Sequence, residues 1–553
     1  MVKQQRYLLI DTVLLGIAGA LGARLFIFLL GLAEGIFLEG LAGYHLVRLP
    51  GKGGALAQSF GHYGIWLIPV VTALGGLISG IIVYSMAPEA EGHGTDTTVK
   101  AFHHTCGYIR ARVTPIKIIA SAITIGSGGA AGREGPTALF SSGLGSIYAT
   151  YTKRSDNERG LLILIGMAAG LSAIFRSPIG TAFFAIEVLY SDMEFDAAAF
   201  LYTMLGSIVA YTVNGLFVGW EPLFQIPPRL SVEQFSDYAW YALLGLSCGL
   251  IGTILPNIFY YTRDFFHKIP IASRLKPAIG GFGVGVIALG LPQVLGGGYG
   301  WIQEVIDGRF TITLLLLLLF GKMVAFALTV GSGGSGGVFA PTLFVGAMLG
   351  GLFAHLFHQP PAAFAVVGMA AVFGSAGRVP FATLLMVTEM TGGYNLFVPA
   401  ALAVMLAYLI QNGLSARLKY KSLYESQVIS RAESPAHRIE NLKTALKIFS
   451  ERQSFDPSLL GHLNLQALLE SGLPIDLPGG KQLFILTLNP DSPQCGVPVE
   501  QSCVLDEGEE WEIVAIFRGD RVMLPNACTA PQAGDQFLVM TSPAHLEKLK
   551  KKF

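Results

Sequence analysis

The chain has 553 residues, 52% of them hydrophobic and only 13% charged, with a formal net charge of zero. That composition excludes an ordinary water-soluble domain and selects a polytopic membrane protein in contact with lipid. A balanced charge gives no reason to expect nucleic acid or a strongly acidic partner.

The N-terminal MVKQQR is short and basic and has no cleavage-site pattern, so the apolar run behind it, about 7–41, reads as a span and not a signal peptide. Its lysine and arginine favour a cytoplasmic N-terminus. Further apolar stretches cover 63–86, 160–190, 196–219, 239–262, 276–295, 310–330, 338–357 and 396–413, several at or above the roughly 18 residues that a spanning helix needs. The 68 glycines lie largely inside these stretches, which predicts close helix packing and interrupted helices. Cys106, Cys248, Cys495, Cys503 and Cys528 form no CxxC pair, consistent with reduced thiols and no metal site.

An internal repeat organises the membrane part. At a shift of 205 positions, KIIASAITIGSGGAAGREGPT (117–137) falls on KMVAFALTVGSGGSGGVFAPT (322–342), and 11 of the 21 positions are identical. At a shift of 202, GMAAGLSAIFRSPIGTAFFAIE (166–187) falls on GMAAVFGSAGRVPFATLLMVTE (368–389). Two ordered blocks at nearly equal offsets imply two homologous halves, roughly 60–215 and 270–415, rather than glycine-rich helices that resemble each other by composition alone.

Both halves place a helix start after GSGG. The glycines allow positive backbone torsions, and Pro136 and Pro341 suit the first turn of the helix that follows. A helix N-terminus inside the membrane offers unpaired N–H groups and the positive end of its dipole, which attract an anion without a full charge that would trap it. Glu134 sits at one of these starts. An ionised carboxylate there occupies the anion site itself; protonated, it is neutral and leaves. The alternative is a salt bridge to Arg133, for which adjacent helix positions are poorly placed.

The motifs GREGP (132–136), GGVFAP (336–341), APEAEGHGTDTTVKAFH (87–103) and SLY (422–424) resemble the CLC family of chloride channels and proton/chloride exchangers, over residues of about 10–425. The resemblance implies a mostly α fold: a polytopic membrane protein of two inverted-topology repeats with broken helices, assembled as a homodimer with one pore per subunit. It implies no cofactor, with chloride or another small inorganic anion as the bound ion. It makes Glu134 the gating glutamate, assigns Arg133 and Gly135 beside it to the anion-binding set, turns the amides of Val338 and Phe339 toward the anion, and has Tyr424 supply a hydroxyl. For Tyr424 an interfacial aromatic anchor is the alternative.

Two departures from the family's pattern bear on function. GHGTD at 92–96 stands where chloride-selective members usually read GSGIP, so His93 replaces the serine that contacts the anion. A protonatable imidazole there predicts an anion affinity that rises as pH falls and an unusual selectivity among chloride, nitrate and bromide. Alternatively His93 turns away and the Gly94 amide does this work. Val188 occupies the position at which exchangers commonly carry a proton-relaying glutamate, and valine carries no proton. This tilts the sequence toward a channel-like passive pathway gated by protonation of Glu134, with a proton-coupled chloride exchanger as the alternative. Glu187 and its repeat partner Glu389 read as structural.

Lys117 and Lys322 are repeat-equivalent and suit snorkelling positions near helix ends. Arg176 and Arg378, each two residues before a proline, suit carbonyl capping. From Arg431 onward the charge density is about twice that of the preceding chain, which marks a soluble domain. The organisation expected is a membrane pathway over 1–428, a helical linker over 429–475 and a cytosolic α/β regulatory domain over 476–553. QLFILTL (482–488), EEWEIVAIF (509–517) and DQFLVMT (535–541) are strand-like, polar 433–471 and AHLEKLKKKF are helix-like. The domain resembles the C-terminal (TrkA-C) lobe of regulators of potassium conductance, which leaves a small regulatory ligand and simple dimer reinforcement both open. The chain is not read as an enzyme: neither GSGG segment continues into a P-loop, and no HExxH or nucleophile elbow occurs. Outside the family, a sodium-coupled solute transporter is the rival. The expected location is the cell's inner membrane, with both termini cytoplasmic.

Overall fold

The computed structural model describes residues 2–46, 59–60, 64–192, 196–227, 230 and 235–430, and in the C-terminal part 434–435, 474–476, 481–489, 492, 495, 511–518, 521–523 and 530–542. The chain divides into two compact units, Met1–Gln427 and Val428–Phe553.

The described residues of the first unit are mostly helical. In chain order they form α1 (Val2–Glu34), the short antiparallel pair β1 (Tyr44–His45) and β2 (Ser59–Phe60), α2 (Ile68–Met86), α3 (Thr95–His104), α4 (Val113–Gly126), α5 (Glu134–Tyr151), α6 (Asp156–Phe175), α7 (Pro178–Glu187) and α8 (Ala197–Val218). α9 (Phe235–Lys268) follows, and then, across the second repeat, α10 (Lys276–Gly290), α11 (Tyr299–Ile306), α12 (Ile312–Gly331), α13 (Phe339–Phe357), α14 (Pro361–Ala376), α15 (Pro380–Thr391) and α16 (Phe397–Ser415). Among the described residues, eight helical segments are long and apolar enough to cross a membrane, the first of them the 35-residue run Tyr7–Leu41. Leu21, Leu25 and Phe28 of α1 and Leu316, Leu317 and Phe320 of α12 are exposed, an apolar surface suited to acyl chains and not to water.

The apolar stretch at 160–190 is two helices. A Ser155–Glu158 capping box starts α6, and Arg176 ends it in the left-handed region at φ +57°. Pro178 then opens α7, since its fixed φ suits a first helical turn and its missing N–H is no loss there. The second repeat does the same: Arg378 at φ +54° precedes Pro380 and α15. Arg176 donates to the carbonyls of Glu221 and Val218, as expected, whereas Arg378 donates instead to the side chains of Gln411 and Ser415.

The two halves grip each other reciprocally. Gly132 N–H donates to Gly337 O at 2.8 Å, and Gly337 N–H donates to Gly132 O at 2.6 Å. Glu187 accepts from Phe381 N–H (3.1 Å) and Ala382 N–H (2.6 Å) at the start of α15. Glu389 accepts from Ile179 N–H (3.2 Å) and Gly180 N–H (2.9 Å) at the start of α7, and from Ser177 Oγ. A contact in which i meets j and the equivalent j meets i is the mark of a two-fold relation. The carboxylates take orphan first-turn donors at the positive ends of the helix dipoles, so these glutamates hold the repeats together. α2 and α10 cross in the same way: a Cβ on Gly76 would stand 2.2 Å from Pro277 O, and one on Gly281 would stand 2.4 Å from Thr72 O.

Lys117 and Lys322 do not snorkel. Both are fully buried in α4 and α12, and their ammonium groups turn inward to backbone carbonyls. Lys117 Nζ donates to Ala90 O (2.9 Å) and Gly92 O (2.7 Å); Lys322 Nζ donates to Val294 O and Gly296 O, both at 2.7 Å.

In the second unit β3 (Ile475–Asp476), β4 (Gln482–Thr487), β5 (Trp511–Arg518), β6 (Arg521–Met523) and β7 (Gln536–Thr541) form one antiparallel sheet in the order β3-β4-β7-β5-β6. Its core gathers Leu488, Ile513, Ile516, Phe537 and Val539. All three expected strands are present. The expected helices over 433–471 and 544–553, and most of the linker, lie outside the described residues.

Candidate functional site

Three helix N-termini converge in the middle of the first unit. Gly94, the N-cap of α3, lies against the first turn of α5, where a Cβ on it would stand 2.6 Å from Gly135 O. A Cβ on Gly135 would stand 1.9 Å from His93 O and 2.9 Å from Gly337 Cα, just before α13. No side chain fits between these backbones, so glycine there is what lets the three termini meet. Each first turn presents N–H groups with no acceptor in its own helix.

Glu134 is the first residue of α5 and is 2% exposed. Its carboxylate folds back over Gly132: a Cβ built there would stand 2.1 Å from Glu134 Oε2 and 3.0 Å from Ala340 N. The carboxylate thus occupies the space between the starts of α5 and α13. Arg133 also approaches it, with Nε 3.8 Å from Glu134 Oε1. The helix-surface rule that made this pair a poor candidate fails because Arg133 is the N-cap, outside the helical repeat. At 3.8 Å the contact is an ion pair without a hydrogen bond. The Arg133 guanidinium also stacks over the Tyr299 ring at 4.9 Å.

On the α3 side the structure brings His93 and Tyr424 together, with ring centroids 5.7 Å apart. His93 is buried, and its Nδ1 accepts from Asp96 N–H at 3.4 Å, a role open only to an unprotonated nitrogen. This leaves Nε2 as the donor of a neutral imidazole. Asp96 in turn accepts from Ser426 N–H (2.7 Å) and Ser426 Oγ (2.6 Å), fixing the segment that carries Tyr424. Tyr424 is fully buried and is therefore not an interfacial anchor.

Val338, the N-cap of α13, and Phe339, its first residue, are buried. The Phe339 ring lies 4.3 Å from Phe175 and 4.4 Å from Phe373, and Phe184 continues the row to Tyr424 at 6.2 Å. Aromatic edges are weakly positive and accommodate an anion without competing for hydrogen bonds. Sequence reading missed this row, because its members come from four separate helices and share no spacing.

Val188 is the C-cap of α7 and is fully buried. The neighbouring Glu187 carboxylate is engaged by two N–H groups at the start of α15. Among the described residues no group of three or more His, Cys, Asp or Glu side chains could hold a metal ion.

A voltage gated chloride channel family model matches residues 75–412. The chain is 30% identical over 403 residues to the "H(+)/Cl(-) exchange transporter ClcA" of Salmonella gallinarum (strain 287/91 / NCTC 13346), covering 70% of this chain and 85% of that protein. The protein of the same name from Salmonella agona (strain SL483) matches to the same extent. Among solved structures, a slow cyanobacterial Cl-/H+ antiporter aligns with a TM-score of 0.64 at 22% identity, over 75% of this chain and 96% of the other. A CLC-type fluoride/proton antiporter aligns with a TM-score of 0.64 at 22% identity, over 78% and 100%.

Proposed function

Because the chain belongs to the voltage gated chloride channel (CLC) family of anion transporters, we propose that it exchanges chloride, or another small inorganic anion, for protons across a membrane, with Glu134 as the group both ions compete for. The observation that carries this reading is the Glu134 carboxylate lodged between the starts of α5 and α13. An ionised carboxylate takes the place of an anion at those helix ends; an arriving anion displaces it, and protonation releases it as a neutral group. His93 Nε2–H, the Tyr424 hydroxyl and the first-turn amides of Val338 and Phe339 are the donors for an anion that has passed the plug. The Gly135 amide and Arg133 belong to the plug itself.

The names of the relatives favour exchange over the passive channel that Val188 alone suggests. With valine at 188, protons reach Glu134 by a route other than a carboxylate at that position. A passive pathway stays the second reading, supported by that one buried valine. Proteoliposomes given a chloride gradient decide between them. The expected result is chloride efflux with uphill proton uptake; efflux with no proton movement would establish the channel.

We further propose a homodimer in the cell's inner membrane, with both termini cytoplasmic and the C-terminal sheet unit as a regulatory module of the TrkA-C kind. Truncation after residue 430 is expected to preserve basal transport; a chain that then transports nothing would contradict a purely regulatory role.

A further inference from the structure

We infer that Asp96 is a positioning residue for the transported anion: it holds the Tyr424 hydroxyl in register with His93. This rests on the anion-transport reading above and deepens it, since it names what keeps the two donors of the α3 side together.

Asp96 is the second residue of α3 and works from both of its ends. Its backbone N–H donates to His93 Nδ1 at 3.4 Å, which leaves Nε2–H as the imidazole donor. Its carboxylate takes two donors from one residue 330 positions away: Ser426 N–H at 2.7 Å on Oδ1 and Ser426 Oγ at 2.6 Å on Oδ2. Bonds of this length to an ionised acceptor are of the stronger, charge-assisted kind, and two of them fix orientation as well as distance. The positive end of the α3 dipole favours the ionised form, which accepts through both oxygens.

Tyr424 lies two residues before Ser426, on a segment otherwise fastened to α9 and to the end of α14. Leu423 N–H donates to Ala376 O at 2.8 Å, and Gln427 Nε2 donates to Gly377 O at 3.3 Å. The Tyr260 hydroxyl donates to Leu423 O at 2.8 Å and accepts from Glu425 N–H at 3.2 Å, and Arg263 Nη1 donates to Glu425 Oε2 at 2.6 Å. These five bonds shape the segment without setting its distance from α3. The pair from Ser426 to Asp96 sets that distance, and with it the 5.7 Å between the His93 and Tyr424 rings.

A carboxylate in the first turn of a helix that serves an anion opposes that anion by its charge. Holding Ser426 is the use that offsets this cost. His93 and Asp96 also depart from the family's pattern together: where GSGIP would place a proline at 96, there is neither an N–H for an imidazole nor an oxygen for Ser426.

Chloride binding to the purified full chain, measured by calorimetry, tests this. Asp96→Ala keeps the N–H to His93 and loses the hold on Ser426. It is expected to weaken binding about threefold to tenfold, the factor one hydrogen bond supplies, with the chain kept folded by the α9 and α14 bonds. Added to Tyr424→Phe it should weaken binding no further, since both changes take the same hydroxyl from the anion. Asp96→Asn is the rescue: its oxygen accepts from Ser426 N–H and its NH2 donates to Ser426 Oγ, so the affinity lost in Asp96→Ala should return to within about twofold of wild type. Asp96→Ala binding as wild type does would overturn the inference. So would losses that multiply in the Asp96→Ala/Tyr424→Phe double variant, or an asparagine variant as weak as the alanine one, because the carboxylate would then act by charge or general stability. If Asp96→Ala does not fold, Ser426→Ala, which removes one of the two bonds, takes its place in the same double-variant comparison. Wild type that binds neither chloride nor nitrate would overturn the transport reading as well.

Discussion

Replacing Gly135 by alanine should abolish transport while leaving most of the membrane unit folded. The new Cβ would stand 1.9 Å from His93 O and 2.9 Å from Gly337 Cα, both backbone atoms with no rotamer by which to withdraw. Reaching even 3.0 Å from His93 O requires α3 and α5 to part by about 1.1 Å. Overpacking of this kind costs about 1–3 kcal/mol in stability. Its effect on transport is larger, because a misplacement of about 1 Å at a functional site costs on the order of a hundredfold in rate. Gly413→Ala is the control: it lies near the end of α16, where a built Cβ meets nothing within 4 Å outside its own helix, and alanine there should leave stability at or slightly above wild type without touching flux. The assay is chloride efflux from proteoliposomes, with apparent melting temperature and elution profile measured on the same preparations. Efflux from Gly135→Ala within about threefold of wild type, at an unchanged melting temperature, would refute the close meeting of the three helix ends.

The reciprocal caps predict that Glu187→Gln and Glu389→Gln each destabilise the membrane unit by about 2–4 kcal/mol, since an amide turns an NH2 group toward donors that the carboxylate satisfied. Apparent melting temperatures should fall for both, and one silent variant would break the two-fold reading. Tyr424→Phe keeps the ring against His93 and Phe184 and removes only the hydroxyl, so anion affinity measured by calorimetry should drop about threefold to tenfold with the fold intact. Unchanged affinity would take that hydroxyl out of the site. Because Asp96 N–H already occupies His93 Nδ1, wild type and His93→Ala should show parallel pH dependences of anion binding. A dependence present only in wild type would restore the protonated imidazole expected from sequence.

The repeat was legible because GSGG and the residues around it must preserve the same backbone path in both halves, so identity survived there. The match between the loops before α3 and α11 was not legible. AEGHGT (90–95) and VLGGGY (294–299) share little beyond glycine, and only the equal torsions of Gly94 and Gly298 and the two lysines reveal it. The inward turn of Lys117 and Lys322 was missed for a related reason: an apolar helix with one lysine looks the same whether its ammonium reaches water or two backbone carbonyls. The apolar runs marked the long helices well. They passed over α4, α14 and α15, which are short, and α5, which is rich in Gly, Ser and Thr; most residues of all four are buried against protein. Glu134 could be singled out because a carboxylate among glycines has few structural uses, whereas its approach to Arg133 depended on where the helix begins.

The most direct test of Glu134 as the shared plug is simultaneous recording of chloride efflux and external pH with Glu134→Ala in proteoliposomes. Chloride should still cross, with no accompanying proton movement, because the methyl group neither fills the space between α5 and α13 nor carries a proton. Proton-coupled transport persisting in Glu134→Ala would contradict the assignment, and would move the proton-binding group elsewhere in the chain.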